Sequence, residues 1–236
     1  MATASTQPTV QRPASRPGLV APLWHTGIVL LILLIPWIRW LGVPKVLSNQ
    51  PGGLILIYAL LFQWGFFVLL YFGLRIQGTR LKDLIGERWR SFQDFFKDLR
   101  VGLIVCGFNV LLLFLFGHLW RLVVQHTARA TIFGGFSALE GFGGVLAIAL
   151  TAGFTEEVTC RGYLQRQFHA VTGSARWAFV LQAIVFSLAH GYSRPSGDLL
   201  GMFLIGLVFG FIAISRQNLL PGILAHACED CFALLT

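Results

Sequence analysis

Charge is scarce in this chain of 236 residues: Asp, Glu, Lys and Arg together make up 12% of it, and the acids number only 10. A soluble domain carries roughly 25%, so an ordinary water-soluble globule is excluded. Cysteine is also rare. The four present, Cys106, Cys160, Cys228 and Cys231, all fall inside apolar segments, which excludes the disulfide framework of a small secreted protein. No internal repeat is visible, and the Gly- and Phe-rich stretch from 131 to 144 lacks the lysine and spacing of a phosphate-binding loop. The first apolar run, at 24 to 41, has no small-residue cleavage site behind it and reads as a retained helix. The formal net charge of +8 raises nucleic acid as a partner. The basic residues, however, sit at the ends of apolar runs, where topology signals lie, and no nucleic-acid partner is expected.

Apolar residue types make up 56% of the chain, and runs long enough to span a bilayer recur along its length. The fold class is therefore all-α: a polytopic membrane bundle in a single domain over 23–236, preceded by a disordered tail over 1–22 whose Pro, Ser, Thr and Gln content cannot bury a core. Spans are predicted at 24–41, 54–74, 101–123, 143–168, 176–192, 199–215 and 219–235, about seven helices. With the N-terminus in the cytoplasm, Arg12, Arg16, Arg75, Arg80, Lys82, Arg88, Arg90, Lys97, Arg100, Arg166, Arg176 and Arg216 fall inside, against Lys45, Arg121, Arg129 and Arg194 outside. That bias favours a cytoplasmic N-terminus and, in a bacterial cell, the inner (plasma) membrane. Trp24, Trp37, Trp40, Trp120 and Trp177 lie near predicted ends, as an interfacial aromatic belt requires. Leu81, Leu84, Ile85, Trp89, Phe92, Phe96 and Leu99 recur at helical steps with basic residues opposite, so an amphipathic interfacial helix is expected over 80–99, with Gly86 a candidate break. Membrane lipid is the partner this implies.

Against so apolar a background, a few ionisable residues stand out. Glu156 and Glu157 lie with Arg161 in one apolar stretch, His190 in a second, and His226 with Asp230 in a third. A charged group at the bilayer centre costs at least about 2.5–3.5 kcal/mol, so groups kept there point to function. On a helix Glu157 and Arg161 face the same side, acid before base, the better order for an ion pair. Glu156 is rotated about 100° from Glu157 and shares its stripe with Ala152 and Cys160, small residues that let another helix approach. One acid is thus neutralised and the other faces a crevice. A lone histidine in a helix is more often packing than chemistry, but three helices that each deliver a proton-transfer group are how bundle cores build sites. His25, His118 and His126 fall near predicted interfaces and His169 in a connecting turn, so all four are expected to be solvated or interfacial. Buried acids and histidines also make proton relays, which keeps a proton-coupled transporter open as the alternative, although neither repeated halves nor paired broken helices are visible. A catalytically inactive membrane-binding relative is a further alternative, against which the retention of Glu156, His190 and His226 speaks.

Glu-Glu-Val-Thr-Cys-Arg over 156–161 resembles the Glu-Glu-x-x-x-Arg motif of the CPBP family: the CAAX prenyl endopeptidases and bacteriocin-processing or self-immunity proteins, also called the Abi family. Phe186 and His190 match that family's Phe-x-x-x-His motif, and His226 and Asp230 match its His-x-x-x-Asn motif with Asp in the last place. Order and spacing both fit, over residues from about 143 to 236. The resemblance implies an intramembrane endopeptidase acting on a membrane-associated peptide or protein, such as a prenylated CAAX-type tail, a leader or a sorting tail. In it Glu156 would be the general base, Glu157 and Arg161 would hold the helix, His190 would position water or substrate, and His226 with residue 230 would stabilise the oxyanion. Amide hydrolysis independently needs an activated water and donors where negative charge develops.

Three points stay open at this level. An asparagine at 230 donates a hydrogen bond, whereas an ionised aspartate only accepts, so Asp230 is either a protonated donor or a partner orienting His226 from behind. If the fifth span starts near 176, His190 lies about 20 Å along it, towards the outer side, while Glu156 is mid-membrane; a strong tilt or a later helix start is needed to bring them level. As for metal, Glu156, His190 and His226 would make a thermolysin-like donor set for zinc. The metal-free glutamate reading is favoured because neither histidine has an identifiable carboxylate behind it apart from Asp230. Cys228 and Cys231 read as packing residues.

Overall fold

A computed structural model describes residues 18–34, 52–86, 89–124, 141–190 and 196–235. Most of the tail expected over 1–22, and the Gly- and Phe-rich stretch up to 140, lie outside them. In chain order the helices are α1 (Leu23–Leu34), α2 (Gly52–Ile76), α3 (Leu81–Ile85), α4 (Phe92–Val124), α5 (Gly141–Glu157), α6 (Gln165–Thr172), α7 (Ala175–Ala189), α8 (Ser196–Arg216) and α9 (Leu220–Leu235), with a π-helical segment, Val158–Leu164, joining α5 to α6. Among the described residues there is no strand, only an isolated bridge between Gly86 and Asn218. Each predicted span overlaps a helix; residues 35–41 of the first and 191–192 of the fifth lie outside the described residues. Gly53–Ile76, Phe92–Leu119 and Leu199–Arg216 are long and apolar enough to cross a membrane. Their outward faces carry large apolar side chains in the open, among them Leu61, Val68 and Phe114, each about two thirds exposed at 64–66%. Such faces are stable only against hydrocarbon, which makes this an integral membrane protein built as a helical bundle.

The centre of the bundle is the unbroken run from α5 through the π-helical segment to α6. In that segment the backbone bonds reach one residue further than in an α-helix, as where the Gln165 N–H meets the Cys160 carbonyl. Such wide turns are rare and tend to sit at functional positions. All seven residues of the segment are buried. α9 packs against both α5 and α4, α2 against α5, and α7 against α8. Small residues set these distances: a Cβ on Gly153 would stand 2.9 Å from the Ala227 nitrogen, and one on Gly206 would stand 3.0 Å from the Ala183 Cα. Helices that carry polar groups can therefore close on one another with little between them.

The helix ends explain the level of the site. α6 stops at Gly173, whose φ of 67° is the left-handed conformation that glycine adopts without strain. α7 begins immediately after, with the Ser174 hydroxyl accepting from the Trp177 N–H at 3.3 Å. Glu156 and His190 are equidistant in sequence from Gly173, so the antiparallel α6–α7 hairpin brings them level. Neither a strong tilt nor a later start of α7 is needed; the expected mismatch arose from ending the fourth span at 168 when its helix runs on to 172.

The amphipathic segment expected over 80–99 is divided at Gly86. Its first part is the single turn α3, and its second forms the opening turns of the continuous α4. Gly86 has φ 94°, and a Cβ there would meet the Gln217 carbonyl at 2.5 Å. The Leu219 N–H donates to the Ile85 carbonyl at 2.8 Å, and Arg166 donates from α6 to the carbonyls of Asp83 and Leu84. Leu84 is therefore fully buried, while Phe92 and Phe96 remain exposed on α4. Asp98, also buried, gathers Trp89 Nε1 at 2.9 Å, Asn218 Nδ2 at 3.1 Å and Arg216 at 3.3 Å, which ties the start of α4 to the α8–α9 turn.

Candidate active site

Glu157, the last residue of α5, points into the bundle. Its Oε1 accepts from Arg161 Nη1 at 2.7 Å and lies 3.1 Å from His226 Nδ1, and both its side chain and that of Arg161 are almost completely buried. The guanidinium lies over two rings, with Cζ 4.4 Å from the Phe186 ring centroid and 5.0 Å from that of Phe209, and it also donates to the Gly206 carbonyl at 3.3 Å. Cation–π contact with two rings and a carboxylate partner stabilise a dehydrated arginine. Phe186 thus has a physical role in its motif: it covers the cation that neutralises Glu157. A Cβ on Gly222 would stand 3.0 Å from Glu157 Oε2, so α9 approaches this acid closely.

Glu156 faces the other way. Its side chain keeps about a quarter of its surface, and Oε2 lies 3.6 Å from His190 Nε2 and 3.7 Å from His226 Nε2. Its Oε1 accepts from Gln63 Nε2 at 3.2 Å. The histidines are held from behind. His190 Nδ1 is 2.8 Å from the Phe186 carbonyl, which can only accept, so Nδ1 carries the proton. His226 Nδ1 is turned to the Glu157 carboxylate, and its ring stacks on Phe209 with centroids 5.3 Å apart. Both imidazoles therefore direct Nε2 at the same carboxylate oxygen. In their neutral forms these nitrogens are bare acceptors, and two acceptors facing a carboxylate oxygen are compatible only with protons or a cation between them.

Asp230 stands one turn beyond His226, with Oδ2 3.8 Å from His226 Nε2 and a third of its side chain exposed. It is on the open, Nε2 side of the ring. The position behind His226 belongs to Glu157, so Asp230 does not orient that imidazole from behind. All six residues singled out in the sequence are thus brought together at the junction of α5, α7 and α9. The carboxylate and carbonyl that anchor the two Nδ1 atoms are partners the sequence did not reveal, and they remove the ground on which the metal-free reading was preferred. Among the described residues no three His, Cys, Asp or Glu donors are drawn into metal-ligand geometry.

His25 departs from expectation. It is fully buried rather than solvated, with Nδ1 2.8 Å from the Tyr163 hydroxyl and Nε2 2.9 Å from the Leu69 carbonyl. It fixes α1 to the π-helical segment and to α2. His118 is exposed, and His169 is half-buried within α6 rather than in a turn; His126 lies outside the described residues. All four cysteines are free thiols. Sequence reasoning missed Gln63, and the available signal was a lone amide in the middle of an apolar span.

The acid facing two anchored imidazoles brings together the three motifs by which the chain resembles the CPBP family. Residues 138–232 match the type II CAAX prenyl endopeptidase Rce1-like family, and this part of the chain is similar to it. The match includes all of the ionisable site residues and leaves α1 to α4 outside. No curated protein and no solved structure matches the chain.

Proposed function

We propose that the protein is an intramembrane endopeptidase that cleaves a membrane-associated tail of CAAX or related type, with Glu156 activating the water. The observation that carries this reading is the convergence of His190 Nε2 and His226 Nε2 on Glu156 Oε2 at 3.6 and 3.7 Å, with both Nδ1 atoms anchored. A water at this cluster gives one proton to Glu156 Oε2, the acceptor strong enough to take it, and donates its second to one of the two Nε2 atoms, which fixes its position. As the water oxygen bonds to the scissile carbonyl carbon, its proton moves to Glu156 Oε2, and the same proton then passes to the leaving amide nitrogen as the C–N bond breaks. Asp230, at the open side of His226, donates to the oxyanion in its neutral form. Glu157 and Arg161 touch no reacting atom; they set the tautomer and direction of His226.

The donor set also fits zinc, because both imidazoles present Nε2 and have hydrogen-bonded Nδ1 atoms, the arrangement ligating histidines adopt. Glu156, His190 and His226 would hold the ion, and when bound it would supply Lewis-acid polarisation and a more acidic water. The decisive experiment is cleavage of farnesylated and unprenylated reporter peptides by purified protein in nanodiscs, beside Glu156→Gln protein and with metal content measured. Cleavage by wild type alone supports the proposal; binding or transport of the peptide without scission overturns it. Stoichiometric zinc, with activity lost on chelation and restored by zinc, would assign the metallo form.

A further inference from the structure

The part of the chain outside the family match contributes a polar group to the site. α2 contains a single amide, Gln63, in a helix that is otherwise apolar and aromatic apart from Arg75 in its last turn. An amide in a bilayer span must find a partner or leave its polar atoms unsatisfied in hydrocarbon. Its partners here are two consecutive residues of α5. Gln63 Nε2 donates to Glu156 Oε1 at 3.2 Å, and Gln63 Oε1 accepts from the buried Thr155 hydroxyl. That hydroxyl also lies 2.9 Å from the Thr151 carbonyl, so its one proton is shared between two acceptors.

The orientation of the amide follows from this chemistry. A carboxylate is acceptor-only, so the ionised Glu156 requires the NH₂ end of Gln63, which leaves the carbonyl end to Thr155. The reversed amide would place an acceptor against Glu156 and would suit only its protonated form. A donor on Oε1 also leaves Oε2, the oxygen facing both histidines, as the more basic of the two.

We propose that Gln63, set by Thr155, is a positioning residue that fixes the carboxylate of Glu156 so that Oε2 is the oxygen that takes the proton. This rests on the general-base role given to Glu156 above. Gln63 touches no substrate atom in this scheme. Its removal should therefore lower turnover without changing how substrate binds.

The test has two arms. In steady-state cleavage by full-length protein in nanodiscs, Gln63→Leu, a side chain suited to an apolar span, lowers kcat about ten- to a hundredfold, the range of one hydrogen bond to a charged group, with KM within about twofold of wild type. Thr155→Val lowers kcat less, and adds nothing further in the Gln63→Leu background, because the hydroxyl acts through the amide; Thr155→Ser restores wild-type turnover. Wild-type kcat in Gln63→Leu protein, a change confined to KM, or strictly additive effects of the two substitutions each overturn the proposal. The second arm needs no substrate. The infrared carboxylate stretch of Glu156, isolated by subtracting the spectrum of the matching Glu156→Gln protein, shifts when Gln63 becomes Leu. An unshifted band overturns the proposal. If wild type cleaves no reporter, the endopeptidase reading fails while a shifted band still establishes the Gln63–Glu156 bond.

Discussion

Glu156 and Glu157 are neighbours in sequence with the same side chain, yet they occupy opposite kinds of environment. Glu157 is closed in on all sides: 1% of its side chain is exposed, and it sits 2.7 Å from a cation. Glu156 is 26% exposed and stands 3.6–3.7 Å from its imidazole neighbours, beyond direct hydrogen-bond distance. The helical rotation of about 100° between adjacent residues separates the two directions. Chemistry needs a carboxylate with unfilled capacity, while a bilayer interior tolerates a charge only when it is paired. The motif satisfies both demands with adjacent residues, and His226 joins them by giving Nδ1 to the closed acid and Nε2 to the open one.

The sharpest way to test this division is to exchange one acid's capacity for an isostere. Glu156→Gln keeps volume and hydrogen bonding but cannot accept a proton from water, so cleavage should fall by about two to four orders of magnitude, the span attributed to a general base. The thermal unfolding midpoint of the purified protein should stay near that of wild type, since Glu156 has no buried ion pair to lose. Near-normal cleavage in this variant would end the general-base assignment. Arg161→Ala attacks the closed acid instead. It leaves Glu157 buried without its cation, a change that costs about 3–5 kcal/mol when one member of a buried pair is removed, so yield and unfolding midpoint should both drop. A stable, fully active Arg161→Ala protein would show that the pair is dispensable.

How much of this was legible beforehand follows from the length scale of each interaction. The Glu157–Arg161 pair is local, one helical turn, and helical spacing alone predicts it. That His190 and His226 belong to the same site followed from motif order, but their anchoring did not: His226 Nδ1 meets an acid 69 residues away, a distance no periodicity encodes. The level of His190 was misjudged because the α5–α6 run is extended by a π-helical turn and ends on Gly173 rather than at 168. His25 was misread because a histidine beside Trp24 at a span end looks interfacial, whereas Tyr163, its partner, lies 138 residues on. Gln63 carried a physical signal, an amide in hydrocarbon, but no spacing to attach it to Glu156.

The contrast between closed and open halves also depends on how near α9 comes to α5, and Gly153 controls that distance. Gly153→Ala would set a Cβ 2.9 Å from the Ala227 nitrogen and 3.0 Å from the Ile223 carbonyl. These are backbone atoms that cannot turn aside, so α9 must shift. The expected cost is about 1–3 kcal/mol in stability, typical of overpacking, with a loss of cleavage as His226 moves from Glu156. Gly65→Ala is the control, because nothing stands within 4 Å of its Cβ position. Equal behaviour of the two variants in thermal unfolding would refute the close contact.

The smallest effect is expected at Asp230, where the family pattern has asparagine. If Asp230 were the group that fixes the His226 tautomer, Asp230→Asn would cost several orders of magnitude, as replacing the aspartate of a hydrolase triad does. Here that task falls to Glu157, which holds Nδ1 at 3.1 Å, while Asp230 faces Nε2 from 3.8 Å on the open side. An asparagine amide supplies a donor in the same place as a neutral carboxyl group. Asp230→Asn should therefore keep activity within a few fold of wild type, whereas Asp230→Ala, which offers no donor, should lose about a hundredfold, in the range of a deleted oxyanion donor. The two variants measured side by side separate the roles: equal collapse of both would mean that the carboxylate charge is required, and equal tolerance of both would mean that Asp230 gives no hydrogen bond to the transition state.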